Sequence, residues 1–373
     1  MSLRVLSHEA LVHALHLRDL TDPQQGAHAM QQIVCAIHTP LAARWQCRRH
    51  LHRACPIVSI EENYDQLGYP AGGAARDARY TRYVTGRMLL RTQTSAMIPG
   101  LLRAAALDPP EEVLLICPGL VYRRDVVDRL HTGEPHQLDL WRLQRGQLAS
   151  ADLREMIATV VEAALPGYRC RASAASHPYT TNGLQIDVEH NGEWIEIGEC
   201  GLAAPAVLAG AGLDIGQITG LAMGLGLDRI LMIRKGIEDI RLLRSEDPRI
   251  ARQMLDLSPY LPVSNQPPIR RDLSIAIAKG LTAEELGDRI REARRDHLEH
   301  IESVDILEEA TYENLPPSAH ARMGMHAGQK NVLLRLVIRD HTRTLTSAEA
   351  NMIRDAVYRA LHQGECMELA APA

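Results

Sequence analysis

The chain contains no phenylalanine in 373 residues, where roughly a dozen would be ordinary. Drift in a lineage rich in Leu, Ala and Arg, or deliberate editing, would each produce that. Other absences exclude whole classes of function. No apolar run reaches the length of a membrane span, and the first 20 residues, MSLRVLSHEALVHALHLRDL, lack both a signal-peptide core and an Arg/Ser-rich transit pattern. A cytoplasmic location is therefore expected. There is no GxxxxGK[ST] loop, which removes the P-loop nucleotide binders. Basic charge is not in excess: the formal net charge is −5, so any nucleic-acid contact must be a local basic face. The seven cysteines are odd in number and irregular in spacing, the usage of reduced thiols rather than of a disulfide framework.

The length suits two domains with a sizeable core in each. Near the N-terminus, Met30, Ile33, Val34 and Ile37 form a helical apolar stripe, predicting a helix over 22–38 that ends before Pro40. CRRHLHRAC at 47–55 places Cys47, His50, His52 and Cys55 close together. On a strand the two Cys share one face and the two His the other, a poor start for a tetrahedral metal site.

The centre of the chain reads as sheet. VLLICPGLVYRR and HQLDLWRL predict two antiparallel strands joined by a long polar loop, and LQIDVEH and EWIEIGE a hairpin turning at Asn191-Gly192. Helices are expected at 151–164, 202–211 and 226–235. Beyond residue 265 the pattern changes. Alternating Leu273, Ile275 and Ile277 open a strand, ESVDILEE and 331–340 are two more, and Thr282…Glu285 and Thr346…Glu349 are capping boxes that start helices. That is a βαββαβ, ferredoxin-like order. The fold class is thus α+β: an antiparallel sheet flanked by helices, then a ferredoxin-like domain. The expected boundaries are 1–57, 58–258 and 265–365.

Two segments carry the chemistry. GLVYRRDVVDRLHTGEPHQLDLWRLQRG (119–146) ends a strand in Arg123, and GLGLDR (224–229) runs a Gly-rich turn into a helix at Asp228-Arg229. Two separately anchored arginines are what a site needs to neutralise the α-phosphate of ATP as its charge grows. With LLRTQTS (89–95) and IRKGIEDIRLL (233–243) in the same order, these segments resemble motifs 2 and 3 of class II aminoacyl-tRNA synthetases. The similarity is greatest to phenylalanyl-tRNA synthetase in its single-chain, mitochondrial type. The helix and strand before residue 60 have the form of motif 1, and the C-terminal region resembles an anticodon-binding domain through Pro267, Arg270, Arg271 and Asp272, with Gln266 where that family has Phe.

The resemblance implies the roles. Arg123 and Arg229 would be catalytic and hold ATP, together with Asp125 and His131. Mg²⁺ would bridge the phosphates, with Glu196 as a candidate ligand. Tyr83, Gln93, Ser95, Gln137, Asp139, His177, Tyr179, Ala222 and Gly224 would bind a small aromatic amino acid. Asp139 stands where Glu is usual, and His177-Pro178-Tyr179 where the family reads Phe-Pro-Phe. Arg270, Arg271, Arg335 and Arg343 would contact tRNA. The implied activity is ATP-dependent ligation of phenylalanine to tRNA through an aminoacyl-adenylate. The alternatives are a paralogue activating another aromatic amino acid and a non-catalytic RNA-binding regulator. A monomer is expected, with a homodimer as the alternative. Under this reading, a chain without Phe can still be translated when Phe-tRNA is scarce.

Overall fold

The computed structural model describes residues 5–77, 81–123, 129, 131–263, 266–293, 300–340 and 343–367. It divides into two compact units. The first is Met1–Arg123 with Glu134–Ile237 and Ala251–Tyr260, and the second is Arg124–Gly133 with Glu238–Ile250 and Leu261–Ala373.

Strands of the first unit are β1 (Arg48–Leu51), β2 (Ile57–Ser59), β3 (Met88–Leu90), β4 (Glu112–Leu120), β5 (His136–Arg145), β6 (Cys170–Ala174), β7 (Thr180–His190), β8 (Glu193–Ala203) and β9 (Ile218–Gly226). Seven of them form one sheet in the order β1-β4-β5-β9-β8-β7-β6. Every pairing is antiparallel except β1 with β4, which is parallel. Residues before 58 belong to this unit, with β1 as an edge of its sheet. The turn between β7 and β8 is built as its sequence demands: Asn191 and Gly192 both take positive φ, 52° and 82°, as a two-residue hairpin turn requires.

The first long helix is Ala29–Trp45, not 22–38, and Pro40 lies inside it. Proline leaves the carbonyl four residues earlier without a donor. The helix continues because the apolar stripe does: Leu41 and Ala42 are buried beyond the proline, as Met30, Ile33, Val34 and Ile37 are before it. The segment 22–28 instead forms a short 3₁₀ turn at Pro23–Gln25. The helix expected at 202–211 is confined to Pro205–Gly210, since β8 runs on to Ala203. The helices Ser150–Ala164 and Leu227–Lys235 fall where periodicity puts them.

A buried arginine joins the segments that lead into the site. Arg91 follows β3 and is 3% exposed. Its Nε donates to the carbonyl of Leu120 (2.7 Å), its Nη1 to that of Ala54 (3.0 Å). Its own backbone bonds Pro56 O and Tyr122 N. A Cβ on Gly119 would stand 2.3 Å from Arg91 Nη2, so only glycine permits this approach. One side chain thus ties the run to Gln93–Ser95 to the run to Arg123.

In the second unit, β10 (Ile269–Ala278), β11 (Ile301–Thr311) and β12 (Gln329–Ile338) form a sheet in the order β10-β12-β11. The helices Ala283–Ala293 and Ser347–Leu361 contribute to its core with Leu286, Ile290, Ile353 and Val357. Both predicted capping boxes form: Thr282 with Glu285 and Thr346 with Glu349 exchange side-chain and backbone hydrogen bonds. No final strand is present among the described residues. Gln363 runs beside β10 instead, donating its N–H to Ala276 O (2.8 Å) and accepting from Ala278 N through its side chain (2.9 Å).

Arg91→Met should destabilise the first unit by roughly 3 kcal/mol, because two buried carbonyls lose a charged donor. Thermal unfolding of the variant measures it, and Gly119→Ala should lower the same transition.

Candidate active site

The site is laid out by strand register. Gln137, Asp139 and Trp141 alternate onto one face of β5, and their partners on β9 are Gly226, Gly224 and Ala222. Small residues therefore stand opposite each functional side chain. The row continues from Gly224 to Glu199 on β8 and from there to Gln185 on β7. Between Gly198 and Glu196 the pairing with β7 skips Ile197. This bulge puts Glu196 on the same face as Glu199, although three positions separate them.

At one end of this face lies a buried carboxylate. Asp139 is 1% exposed and accepts from Thr94 Oγ1 (2.9 Å), Ser95 Oγ (2.9 Å) and Trp141 Nε1 (3.2 Å). Burial pushes its pKa up to about 6, and the hydroxyl and indole donors only partly oppose that. Gln137 Oε1 accepts from the backbone N–H of Thr94 (3.3 Å). Gln93 donates to Asn63 O (3.0 Å) and accepts from the Tyr69 hydroxyl (2.8 Å). Burial raises that phenol to about 12.

Flat rings stand beside this cluster. Tyr179 is buried and stacks on Trp141, with centroids 6.1 Å apart and planes at 27°. Tyr69 and His177 lie 6.4 Å and 6.2 Å from its ring. A Cβ on Gly224 would stand 3.7 Å from Asp139 Oδ2 and 3.9 Å from the Tyr179 hydroxyl. The phenol of Tyr179 is therefore aimed at the Asp139 end, and its pKa is raised well above normal by burial, then by Asp139. His177 Nε2 lies 2.9 Å from Glu199 Oε2.

The two arginines are anchored on separate segments. Arg229 Nη1 donates to Glu196 O (2.7 Å). Arg123 Nε donates to Thr92 O (3.0 Å), and Arg82 holds the Arg123 carbonyl (2.9 Å) while pairing with Glu134. Glu196 is half-buried; burial and then Glu199 raise its pKa, while Arg229 and Arg123 both lower it. Both arginines thus act on one carboxylate. The helix bearing Arg229 is fixed by His136 and Asp228. The His136 backbone N–H donates to the Asp228 carboxylate, and Nδ1 lies 2.9 Å from its other oxygen. Leu20 N–H donates to His136 Nε2 (3.1 Å), so Nδ1 carries the hydrogen.

Gln93, Ser95, Gln137, Asp139, His177, Tyr179, Ala222 and Gly224 are thus on or beside one sheet face, with Arg123, Arg229 and Glu196 around the second carboxylate. Tyr83 is placed elsewhere: its ring packs with Val58, Tyr64, Leu89 and Ala96, and its hydroxyl donates to Arg76 O (2.6 Å). Tyr69 takes the position beside Tyr179. Asp125 lies outside the described residues, and exposed His131 falls in the second unit. Thr94, Trp141, Tyr69 and Glu199 were not singled out by sequence. Period 2 from Asp139 points to Trp141, whereas nothing local points to Tyr69 or Glu199.

Among the described residues no group of three His, Cys, Asp or Glu side chains could hold a metal, and Cys47 and Cys55 are free thiols. In the second unit, Arg335 forks onto Asp272 (2.8 and 2.7 Å), Arg343 pairs with Glu349, and Arg271 binds Ser347 and Asn351. Arg270 is exposed. No helix among the described residues is long and apolar enough to cross a membrane.

Residues 50–254 match the family model for the tRNA synthetases class II core domain (F), and 264–367 that for the ferredoxin-fold anticodon binding domain. The chain is 38% identical over 191 residues to the phenylalanine–tRNA ligase alpha subunit of Prochlorococcus marinus strain MIT 9313, covering 51% of this chain and 56% of that one. Over the same shares, identity is 36% to the alpha subunit from P. marinus strain NATL2A and 35% to that from Nostoc punctiforme. The chain thus spans about half the length of the curated relatives it matches. Their names designate alpha subunits, which lends no support to the expected monomer.

Folding keeps a proton on Asp139 between pH about 4 and about 6 that the unfolded chain has released. Stability therefore falls as pH rises through that window, by on the order of 2–3 kcal/mol, and the cost is fully present above it. Asp139→Asn should stabilise the protein at pH 7.5 and not at pH 4. Chemical denaturation at both values checks the sign.

Proposed function

The chain belongs to the class II tRNA synthetase core family, and on that premise we propose that it is an ATP-dependent aminoacyl-tRNA ligase for an aromatic amino acid. Phenylalanine is the substrate to which the relatives' name points. The single-chain arrangement, with catalytic core and anticodon-binding unit in one polypeptide, is part of this proposal.

The observation that carries it is that Arg123 and Arg229 both act on Glu196, on the sheet face that also bears Asp139. The Asp139 carboxylate, kept in place by Thr94, Ser95 and Trp141, accepts the substrate ammonium. That leaves the amino-acid carboxylate directed to the arginines. There it attacks the α-phosphorus of ATP in line, pyrophosphate leaves, and an aminoacyl-adenylate remains. The arginines work by position and charge, with no proton to transfer. In the second step the terminal ribose hydroxyl of tRNA takes the acyl group and AMP departs. Asp125 and His131 remain proposed contacts to ATP.

The donor set fits Mg²⁺ arriving with the triphosphate. Glu196, half-buried and on the same face as Glu199, offers the carboxylate oxygen that Mg²⁺ takes. When bound, the ion would supply positive charge against the phosphates, and Glu196 would be the residue that holds it.

A second reading, a paralogue specific for another aromatic amino acid, is favoured by the His177–Glu199 pair at the ring end.

Arg229→Ala should slow amino-acid-dependent ATP–pyrophosphate exchange by two to three orders of magnitude, as for loss of one fixed donor to developing charge. Full exchange in both Arg229→Ala and Arg123→Ala would refute the adenylation site.

For tRNA, Arg270 is the strongest of the four candidates, since its neighbours are engaged within the protein. Arg270→Ala should weaken tRNA binding and reduce its salt slope by about one unit without lowering thermal stability. Filter binding between 50 and 200 mM salt reads both. An unchanged slope would remove Arg270 from the interface.

A further inference from the structure

Asp139, Gly224 and Glu199 stand in one row across three adjacent strands. Strand spacing puts the first and last about 10 Å apart, with the side-chain-free Gly224 between them. Two carboxylates therefore stand on one face of the sheet, with the Tyr179 hydroxyl 3.9 Å from where a Cβ of Gly224 would be and the rings of Tyr69 and Trp141 beside that of Tyr179. Their separation matches the length of an aromatic amino acid with its ammonium at Asp139 and the far edge of its ring at Glu199.

The far end is not apolar. The Glu199 side chain is 41% exposed, while its partner His177 is 9% exposed. A carboxylate only accepts, so His177 Nε2 carries the hydrogen of that bond. The imidazole is braced behind, with Nδ1 3.4 Å from Thr180 Oγ1 and close over Gly183. Among the described residues no other hydrogen bond reaches the Glu199 carboxylate, whose side chain is partly exposed. A ring ending in C–H would cover this carboxylate, desolvate it and return nothing. A ring ending in O–H would donate to it.

We propose that the His177–Glu199 pair is the specificity element of this site and selects an aromatic amino acid with a hydroxylated ring, tyrosine being the simplest member, over phenylalanine. This rests on the aminoacyl-ligase reading for its orientation of the substrate, and it assigns Glu199 a role in contact with the side chain.

The protein allows a test by binding, independent of catalysis. Tyrosinol and phenylalaninol, which cannot form adenylates, are titrated calorimetrically into wild type, Glu199→Ala and His177→Phe. The expected result is at least tenfold tighter tyrosinol binding in wild type, with the ratio collapsing to within about twofold in Glu199→Ala and narrowing in His177→Phe. Equal binding in wild type, tighter phenylalaninol binding, no binding of either alcohol, or a ratio that survives both variants would each overturn the proposal. Pyrophosphate exchange over the same amino acids separates the two readings. Selective tyrosinol binding without exchange for any amino acid would sink the ligase reading and leave the specificity element standing.

Discussion

The pairing of β5 with β9 is the constraint on which the site depends. Because successive side chains on a strand face opposite ways, register alone sends Gln137, Asp139 and Trp141 to the working face and Leu138 and Leu140 to the other. The partner strand answers with Gly226, Gly224 and Ala222 on the same face and Met223 and Leu225 behind. A slip of one residue would place Leu and Met side chains on the working face and would bury the aspartate in the wrong layer. The Gly-rich run of β9 therefore does more than turn into the helix that carries Arg229. At Gly224 its missing side chain lets Asp139 and Tyr179 come close to the strand.

Holding polar groups in such a face has a cost that the surrounding structure absorbs. Among the described residues Asp139 has no cationic partner and relies on two hydroxyls and an indole. Arg91 is buried with carbonyls as its main partners. His136 links Leu20, β5 and Asp228 through both ring nitrogens. Each is a buried polar group whose partners come from different segments, so each fixes a relative position that apolar packing alone would leave degenerate. They also separate two jobs. Arg91 and His136 are satisfied within the protein and position elements, whereas Asp139 keeps a raised pKa, the signature of a site that lacks the positive charge it is shaped for.

Much of this was legible in the sequence because it is local. Period 2 placed the strands, Asn191-Gly192 the hairpin, and Thr282…Glu285 and Thr346…Glu349 two helix starts. The order of RTQTS, VYRR and GLGLDR placed the arginines and the Asp139 cluster. What escaped was set by tertiary context. The helix Ala29–Trp45 runs through Pro40 because Leu41 and Ala42 find a core to enter. Tyr69 reaches Tyr179 through the fold, from over a hundred residues away. The bulge at Ile197, which turns Glu196 and Glu199 to one face, has no signal in the alternation of EWIEIGECG, because one extra residue breaks the period used to read it. The sixth element of the ferredoxin-like order is met by hydrogen bonds from Gln363 rather than by a strand among the described residues.

The missing phenylalanines give this core a particular chemistry. With Phe at zero, the six-membered aromatic rings are all supplied by Tyr and Trp, and each carries a polar atom that needs a partner when buried. The structure supplies them one by one: Tyr64 donates to Ala75 O (2.6 Å), Tyr69 to Gln93 (2.8 Å), Tyr122 to Ala14 O (3.1 Å) and Trp141 to Asp139 (3.2 Å). Aromatic packing is thereby tied to hydrogen bonding at these four rings, none of which can shift without breaking a directional contact, whereas Trp45 Nε1 is buried without a partner. The same holds at the ring end of the site, where His177 is bound to Glu199 and Tyr179 points its hydroxyl toward Asp139. A pocket walled by phenylalanine accepts any flat apolar ring of suitable size, since dispersion is indifferent to orientation. In the proposed reading, a pocket walled by phenol, indole and imidazole imposes a hydrogen-bond pattern on whatever enters, so composition set by the whole chain would become selectivity at one face of one sheet.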